Sequence, residues 1–515
     1  MSEKSIIIIG AGIAGLSAGC YARMNGFRAR IFEMHAFPGG LCTSWNRQGY
    51  CINGCIHWLV GSSPKSNFYQ IWEELGAVQG REFIYPEEYA QFEGIDGEIF
   101  TAYSDIDRLE QHMKEVAPED TAVIDDFIKT VRRCTRFQPP IEKAPEVYGL
   151  FDLIRLIITQ FSLLRMLWKW NKVSLAQYGE QFKAPLLREA FSQMFTPDFP
   201  MSFMLMTFAW MHNKAAGYPL GGSLEFARSI EKRFFELGGE MSYKTKVSKI
   251  LTESGRAAGI KLENGTELRS DYVISAADGH ATIFDLLEGK YINDTIKGYY
   301  THLIPFPPLV HVAFGVNRRF DDIPHAAVGI SMLLRKPIMI GGVEHNNLSL
   351  KIYNFDPILA PPGKTLLIVM FRTDYDYWKK LNDTIGQYTV EKEKIADTVI
   401  ELLDARFPGI ANQVEMWDVA TPMTFERYTG NWKGSFEGWQ VTPDTWSIGK
   451  VMQRTLPGLE NFYMAGHWVE PGGGVPPAAM SGRNVLQIIC KKEREKFRTT
   501  KKAFSIENGG IAKRA

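Results

Sequence analysis

The most regular hydrophobic pattern in the chain lies in its first forty residues. Ile6-Ile7-Ile8-Ile9 is an unbroken aliphatic run, as expected of a parallel strand covered on both faces. Gly10-Ala11-Gly12-Ile13-Ala14-Gly15 ends it. A helical pattern continues to Asn25-Gly26, and Arg30-Ile31-Phe32 predicts a second strand that finishes on Glu33. A related pattern closes the chain: a short apolar strand at 461–465, a glycine-rich stretch, then a helix opened by Pro476 and Pro477 and running to about Cys490. In the middle, Tyr218-Pro219-Leu220-Gly221-Gly222-Ser223 leads into a long helix ending at Leu237-Gly238-Gly239. Strands are predicted at 240–243 and 247–251, a turn at Glu263-Asn264-Gly265-Thr266, and a further strand within Asp271 to Asp278.

These three pieces predict one discontinuous nucleotide-binding domain made from residues 1–80, 218–290 and 450–490. The intervening 81–217 and 291–449 are left for a substrate domain. Its second half alternates apolar strands with turns, as in Leu309-Val310-His311-Val312-Ala313-Phe314 and Leu366-Leu367-Ile368-Val369-Met370-Phe371, and its first half reads as helical. Within a helical insert at 147–210, the run from 147 to 170 is apolar on most sides yet carries Asp152, Arg155 and Arg165. A spanning helix needs about 20 apolar residues with few or no charges, so a transmembrane assignment is rejected. Two readings stay open for it: an interfacial helix with Trp168 and Trp170 at headgroup level, or a buried helix of the substrate domain.

Composition alters this picture little. At 515 residues the chain exceeds a single core, and 58 basic against 58 acidic residues give no excess of positive charge for nucleic acid. Charge is uneven only in the basic tail, 491–515, where residues 491–502 hold seven Lys and Arg against Glu493 and Glu495. That tail suits an anionic membrane surface or a solvated terminus equally well. Met1 to Lys4 is polar and the following apolar run is short, so no secretory signal is read and a cytoplasmic chain, peripheral to a membrane at most, is expected. Cys20, Cys42, Cys51, Cys55, Cys134 and Cys490 include no paired C-x-x-C, which favours reduced thiols over a metal or iron–sulfur centre.

The glycines carry the chemistry. In the Gly10-x-Gly12-x-x-Gly15 turn, successive glycines allow a tight bend, an approach to a pyrophosphate, and close helix–strand packing. The following helix offers unpaired N–H groups to phosphate, and Glu33, 18 residues after Gly15, suits ribose hydroxyls. Met34 and a Pro38-Gly39-Gly40-Leu41 turn come next. A glycine pair after the ribose acid has no place in a nicotinamide dehydrogenase, but it lets backbone lie flat against a wide ring. The isoalloxazine of FAD meets that need. At the other end, the turn from Gly466 through Gly474 and Val475 would aim a helix N-terminus at the same ring, where it stabilises the negative charge of the reduced flavin.

These segments resemble the flavin-dependent phytoene desaturase group, which includes carotenoid isomerases and retinol saturases. The residues that carry the resemblance are Gly10, Gly12, Gly15, Glu33, Pro38-Gly39-Gly40, Gly49 to Trp58, Tyr218 to Ser223, Ala360-Pro361-Pro362-Gly363-Lys364, and Ala465-Gly466 through Gly482-Arg483. They span nearly the whole chain. The resemblance implies an α/β fold with a Rossmann-type FAD-binding domain, of the glutathione reductase and amine oxidase kind, beside an α+β substrate domain. It implies FAD contacts from Gly10, Gly12, Ala14, Gly15, Glu33, Met34, Gly39, Gly40, Leu41, Gly466, Gly474 and Val475, with the main chain of Val247 at the adenine. Leu41, Asn53 and Ala276 depart from the group, which often has arginine, aspartate and asparagine there. The Gly54-x-Ile-His-Trp wording is closer to the saturases and isomerases.

Moving hydrogen at an unactivated C–C bond calls for a proton donor or acceptor opposite the hydride. His57 and His467 are the candidates, each with the alternative of a histidine bonded to backbone or flavin edge. Arg483 is expected to pair with a carboxylate or lie near the pyrophosphate, and Asp278 to cap a helix. The leading expectation is an FAD-dependent oxidoreductase that desaturates or saturates a long apolar isoprenoid or polyene. A reduced-FAD polyene isomerase and an amine-oxidase-like flavoenzyme stand as alternatives. Substrate identity and electron donor or acceptor are not readable from the chain.

Overall fold

A computed structural model of the chain describes residues 3–443 and 452–501. Its organising element is a five-stranded parallel sheet in the order Glu240–Ser242, Arg28–Phe32, Ser5–Ile9, Tyr272–Ser275, Phe462–Met464. The four isoleucines alternate between two cores, because successive side chains on a strand point to opposite faces. Ile6 and Ile8 pack with Leu16, Phe226, Ile230, Val485 and Ile489 of the helices Ile13–Met24, Gly222–Glu236 and Val475–Lys492. Ile7 and Ile9 pack with Val247, Ile250 and Ile260 of an antiparallel sheet formed by Val247–Glu253, Arg256–Leu262 and Glu267–Arg269.

Two glycines set the close approaches around the first helix. A Cβ on Gly15 would stand 1.9 Å from the Gly10 carbonyl oxygen, and one on Gly482 would stand 2.4 Å from the Ala14 oxygen. The Ser17 hydroxyl then donates across the helix pair to the Ala479 carbonyl at 2.6 Å. The tail continues this docking up to Lys501: the Arg498 N–H donates to Asn25, Arg233 donates to the Thr500 carbonyl, and Lys501 pairs with Glu73. Lys502 and the rest of the basic tail lie outside the described residues.

The second large sheet has seven strands in the order Val414–Ala420, Leu309–Val316, Thr365–Arg372, Val343–Tyr353, Ala326–Ile340, Glu88–Glu93, Ile99–Tyr103. Two of these come from the 81–217 segment, which the sequence reading gave to helices. Glu88–Glu93 is short, pairs with Ile99–Tyr103 on one side and with the distant Ala326–Ile340 on the other, and its mostly buried side chains show no clean alternation to read. One sheet face is covered by the helices Tyr375–Asn382 and Gln387–Arg406. The opposite face places Ala313, Tyr353, Leu366 and Ile368 against Tyr50 and Ile52 of the hairpin Ser44–Arg47/Tyr50–Asn53, which joins the two sheets.

A helical lobe, including Thr121–Cys134, Leu150–Trp170, Pro185–Gln193 and Met201–His212, packs beside Tyr89 and Phe100. In Leu150–Trp170, Trp168 is exposed but Trp170 is buried, so only the first can lie at a headgroup level. Phe151, Ile158 and Phe161 are exposed on the same helix. Among the described residues no helix is long and apolar enough to cross a membrane.

The approach at Gly482 gives the first prediction. A Gly482→Ala variant should lose about 1–3 kcal/mol through overpacking against Ala14 and Ala18, read by urea unfolding. It should also retain less flavin through purification, because Ala14 flanks the glycine turn.

Candidate active site

Glu33 sits at the end of its strand with its carboxylate already oriented. Oε2 accepts the Ala11 N–H at 2.7 Å and Oε1 the His35 N–H at 2.8 Å. The Glu33 carbonyl accepts the Thr245 N–H at 2.8 Å, which brings the approach to Val247 alongside the ribose acid. Val247 is buried at the start of its strand, and Met34 is exposed beside Glu33. Gly39 donates its N–H to the Ala11 carbonyl at 2.9 Å, and Gly40 lies against Gly12. The two glycine turns therefore meet at the start of the helix Ile13–Met24, where Gly12 is the N-cap and no side chain caps the first N–H groups. Leu41 is partly buried just beyond. Its neighbour Cys42 is buried, with the Cys55 thiol close by.

Gly466 follows the strand Phe462–Met464 and passes beside Ala14, with its N–H donated to the Ser481 hydroxyl at 2.6 Å. Gly472, Gly473 and Gly474 all have positive φ and form the turn into the helix Val475–Lys492. His467 binds the Gly474 carbonyl through Nε2 at 2.8 Å, so this imidazole braces the glycine turn. Burial lowers its pKa, opposed by that bond. The Gly474 N–H donates to Glu437 Oε1 at 2.7 Å. Glu437 is a site residue that sequence reading missed. It lies in Phe436-Glu437-Gly438-Trp439, where an acid between aromatics and a glycine was the only signal. Burial pushes its carboxyl up to about 8, against the pull of the Gly474 N–H.

A second wall comes from the 53–58 segment. Asn53 Oδ1 accepts the Ser223 N–H at 3.0 Å and hydroxyl at 2.6 Å, while Nδ2 donates to the Ile56 carbonyl at 3.0 Å and to Tyr353 Oη at 3.2 Å. Both ends of the amide are used, and an ionised aspartate could not make the two donations. That accounts for asparagine at 53. His57 is held beyond this clamp with Nδ1 buried and without a partner. Burial, reinforced by Lys351 and His311, pushes its pKa down to about 3, and His311 is itself lowered by burial to about 4. His57 and His467 make no contact with each other. Each belongs to its own wall.

Two other expectations find places. Arg483 Nε lies 3.6 Å from Glu74, and Nη1 donates to the Ile141 carbonyl at 2.6 Å, so this arginine is held by a carboxylate and main chain. Asp278 accepts the Ala281 N–H at 2.8 Å at the start of a helical turn, and the Trp432 N–H at 2.9 Å.

This arrangement fits FAD. The helices at Ile13 and Val475 both begin on glycine with no side-chain cap, which leaves main-chain donors for anionic groups. Glu33 offers a buried carboxylate nearby, and glycine turns lie between the two helix starts. Comparison with known proteins agrees. The chain resembles the prolycopene isomerase of Daucus carota at 23% identity over 93% of this chain and 79% of that protein. It resembles the neurosporene-forming phytoene desaturase of Rhodobacter capsulatus at 24%, over 94% and 93%. In fold it is similar to an oxidoreductase from Methanosarcina mazei (TM-score 0.58, 18% identity, 94% of this chain and 100% of that one). It is likewise similar to putrescine oxidase bound to putrescine (TM-score 0.61, 13%, 95% and 99%). The family description that matches, flavin containing amine oxidoreductase, covers residues 13–490. The protein is an FAD-dependent oxidoreductase, and its chain belongs to the flavin containing amine oxidoreductase family.

Proposed function

We propose that the chain desaturates or saturates a carbon–carbon bond in a long polyene or related isoprenoid. The observation that carries this reading is a row of aromatic side chains leading away from Glu437. Phe436 meets Phe306 at 5.1 Å between ring centroids, Phe306 meets Phe199 at 5.8 Å, Phe199 meets Phe203 at 4.8 Å, and Phe203 meets Phe195 at 5.0 Å. Such a row offers apolar contact over a length that a small amine does not use. Relatives named as phytoene desaturases and prolycopene isomerases match over more than nine-tenths of the chain, which supports the same substrate class.

Bound FAD supplies two-electron hydride chemistry. The residues assigned to hold it are Gly10, Gly12, Ala14, Gly15, Glu33, Met34, Gly39, Gly40 and Leu41, the main chain of Val247, and Gly466, Gly474 and Val475. The side chains of the two walls handle the proton. Glu437 retains a proton at the glycine turn up to about pH 8. His57 is neutral, with Nδ1 unoccupied by any protein partner, and is the group assigned to exchange a proton with substrate. His467 is assigned to positioning, since its Nε2 is committed to Gly474.

The named isomerases favour a second reading, polyene cis–trans isomerisation with reduced FAD and no net redox change. Anaerobic mixing with a polyene separates the two. Flavin bleaching or reoxidation in step with substrate converted is the expected outcome; conversion that needs reduced flavin but leaves its absorbance unchanged overturns the desaturase–saturase reading.

Glu437 makes a pH prediction. An unfolded glutamate loses its proton near 4.5 and Glu437 in the fold near 8, so between those values the folded state binds the extra proton. Its contribution therefore lowers stability as pH rises across that window. In thermal unfolding, Glu437→Gln should match the parent at pH 4 and exceed it at pH 8.

The helix Leu150–Trp170 supports contact with a lipid surface. Phe151, Ile158 and Phe161 are exposed on it, and Lys172 lies over the Trp168 ring at 3.4 Å, a pairing suited to a headgroup boundary. Replacing Phe151 and Phe161 with serine should reduce co-sedimentation with anionic vesicles and leave the flavin content unchanged. Equal sedimentation would remove this helix from any membrane role.

A further inference from the structure

Lys351 is the one lysine in the buried polar set of the described residues, only 1% exposed, on the strand Val343–Tyr353. Its ammonium group donates to the carbonyls of Ala326 and Ala327 on the neighbouring strand. Those two donations leave one N–H. The ring of Tyr353 lies 5.5 Å from Nζ and that of Phe355 lies 5.3 Å away. Tyr353 in turn touches Asn53, the residue that clamps the segment bearing His57. Lys351 thus borders the wall to which the reaction is assigned.

No acid among the described residues compensates it. Glu88, in register with Ala326, accepts the Gln91 amide at 2.8 Å. Asp356 accepts the Tyr218 hydroxyl at 2.9 Å, the Gly221 N–H at 3.0 Å and the Ile358 N–H at 3.1 Å. The other basic groups around it are neutral imidazoles. Burial and the charge of Lys351 hold His325 at about 2, and His57 and His311 are at about 3 and 4. Burial alone brings Lys351 down to about 7. A buried ammonium is strongly disfavoured unless paired and hydrogen-bonded, so a ligand that brings one negative charge relieves it. A diphosphate brings more charge than one cation among neutral histidines can match.

We propose that Lys351 binds a single carboxylate on the substrate, so that the site at the His57 wall takes an acid-bearing polyene in preference to an unfunctionalised one. This rests on the polyene reading above. The Lys351 side chain then forms a charge-assisted hydrogen bond with a carboxylate oxygen through its remaining N–H, and the substrate chain extends along apolar walls.

The test uses the flavin-loaded protein and two probes of the same carbon skeleton, all-trans-retinoate and all-trans-retinol, followed by quenching of protein fluorescence. At pH 6.5 the carboxylate should bind at least about tenfold more tightly than the alcohol, as one charged hydrogen bond supplies. The preference should shrink by pH 9.5, where Lys351 loses its charge; this wild-type comparison does not depend on any variant folding. Lys351→Met should abolish the preference at both pH values while keeping its flavin spectrum. If Lys351 only tied the two carbonyls together, the variant would change stability and keep the preference. Equal binding of both probes by the wild type, or a preference kept by Lys351→Met, overturns the carboxylate site and leaves the polyene reading standing. Binding of neither probe overturns both.

Discussion

The structure depends on how closely the two ends of the chain approach each other. The turn after the first strand and the turn before the last helix form one site only because the helix Ile13–Met24 packs almost backbone to backbone with Val475–Lys492. Gly482 removes the side chain that would hold the two helices apart, and Gly15 does the same between the first helix and the turn at Gly10. The Ser17–Ala479 bond then ties two segments more than 450 residues apart, and the Gly466–Ser481 bond holds the C-terminal turn against its own helix. On the assignment proposed above, the N-terminus of one helix then serves the phosphates and the N-terminus of the other serves the ring.

Burial without charge partners governs the other half of the site. His57, His311 and His325 are all held neutral, and Glu437 keeps its proton, because each is shielded from water and offered few opposite charges. An apolar polyene needs such surroundings, since ionised walls would have to be desolvated for every substrate bound. Neutral groups can still move a proton. Lys351 is the exception in this set, a group that burial weakens as a base without neutralising it outright at pH 7.

Much of the nucleotide domain was legible in the sequence because its determinants are local. The Ile6–Ile9 run, the glycine turn and Glu33 lie within thirty residues, and the Pro476-Pro477 helix start needs no distant partner to be read. A strand was also read at 247–251, within the observed Val247–Glu253. The substrate domain was less so. Glu88–Glu93 forms a hairpin with Ile99–Tyr103 across the Asp96-Gly97 turn, a local signal that went unread, but its other partner, Ala326–Ile340, comes from over 200 residues away. Glu437 was invisible for the same reason: its meaning comes from Gly474, 37 residues on, and from burial that only the fold creates. The helical stretch at 147–170 left Trp170 open to a lipid boundary or a buried helix, and its ring packs at 5.4 Å against Tyr178 inside the helical lobe.

Asn53 shows how a departure from a family pattern can be a structural requirement. A carboxylate at this position can accept from Ser223 but cannot donate to Ile56 or Tyr353, so the main chain of the His57 segment would lose a tie to residue 53. The amide instead links three segments: the helix that starts at Gly222, the turn carrying His57, and the strand carrying Lys351. A substrate held at Lys351, as proposed above, lies near His57 through the ring of Tyr353 and the hydrogen bonds of Asn53. The aromatic row leading from Phe436 gives the chain of the same substrate a separate direction. On the reading proposed above, the bond that reacts is chosen by its distance from the acid end, because the carboxylate is the only part of a repetitive polyene that a single buried lysine can distinguish.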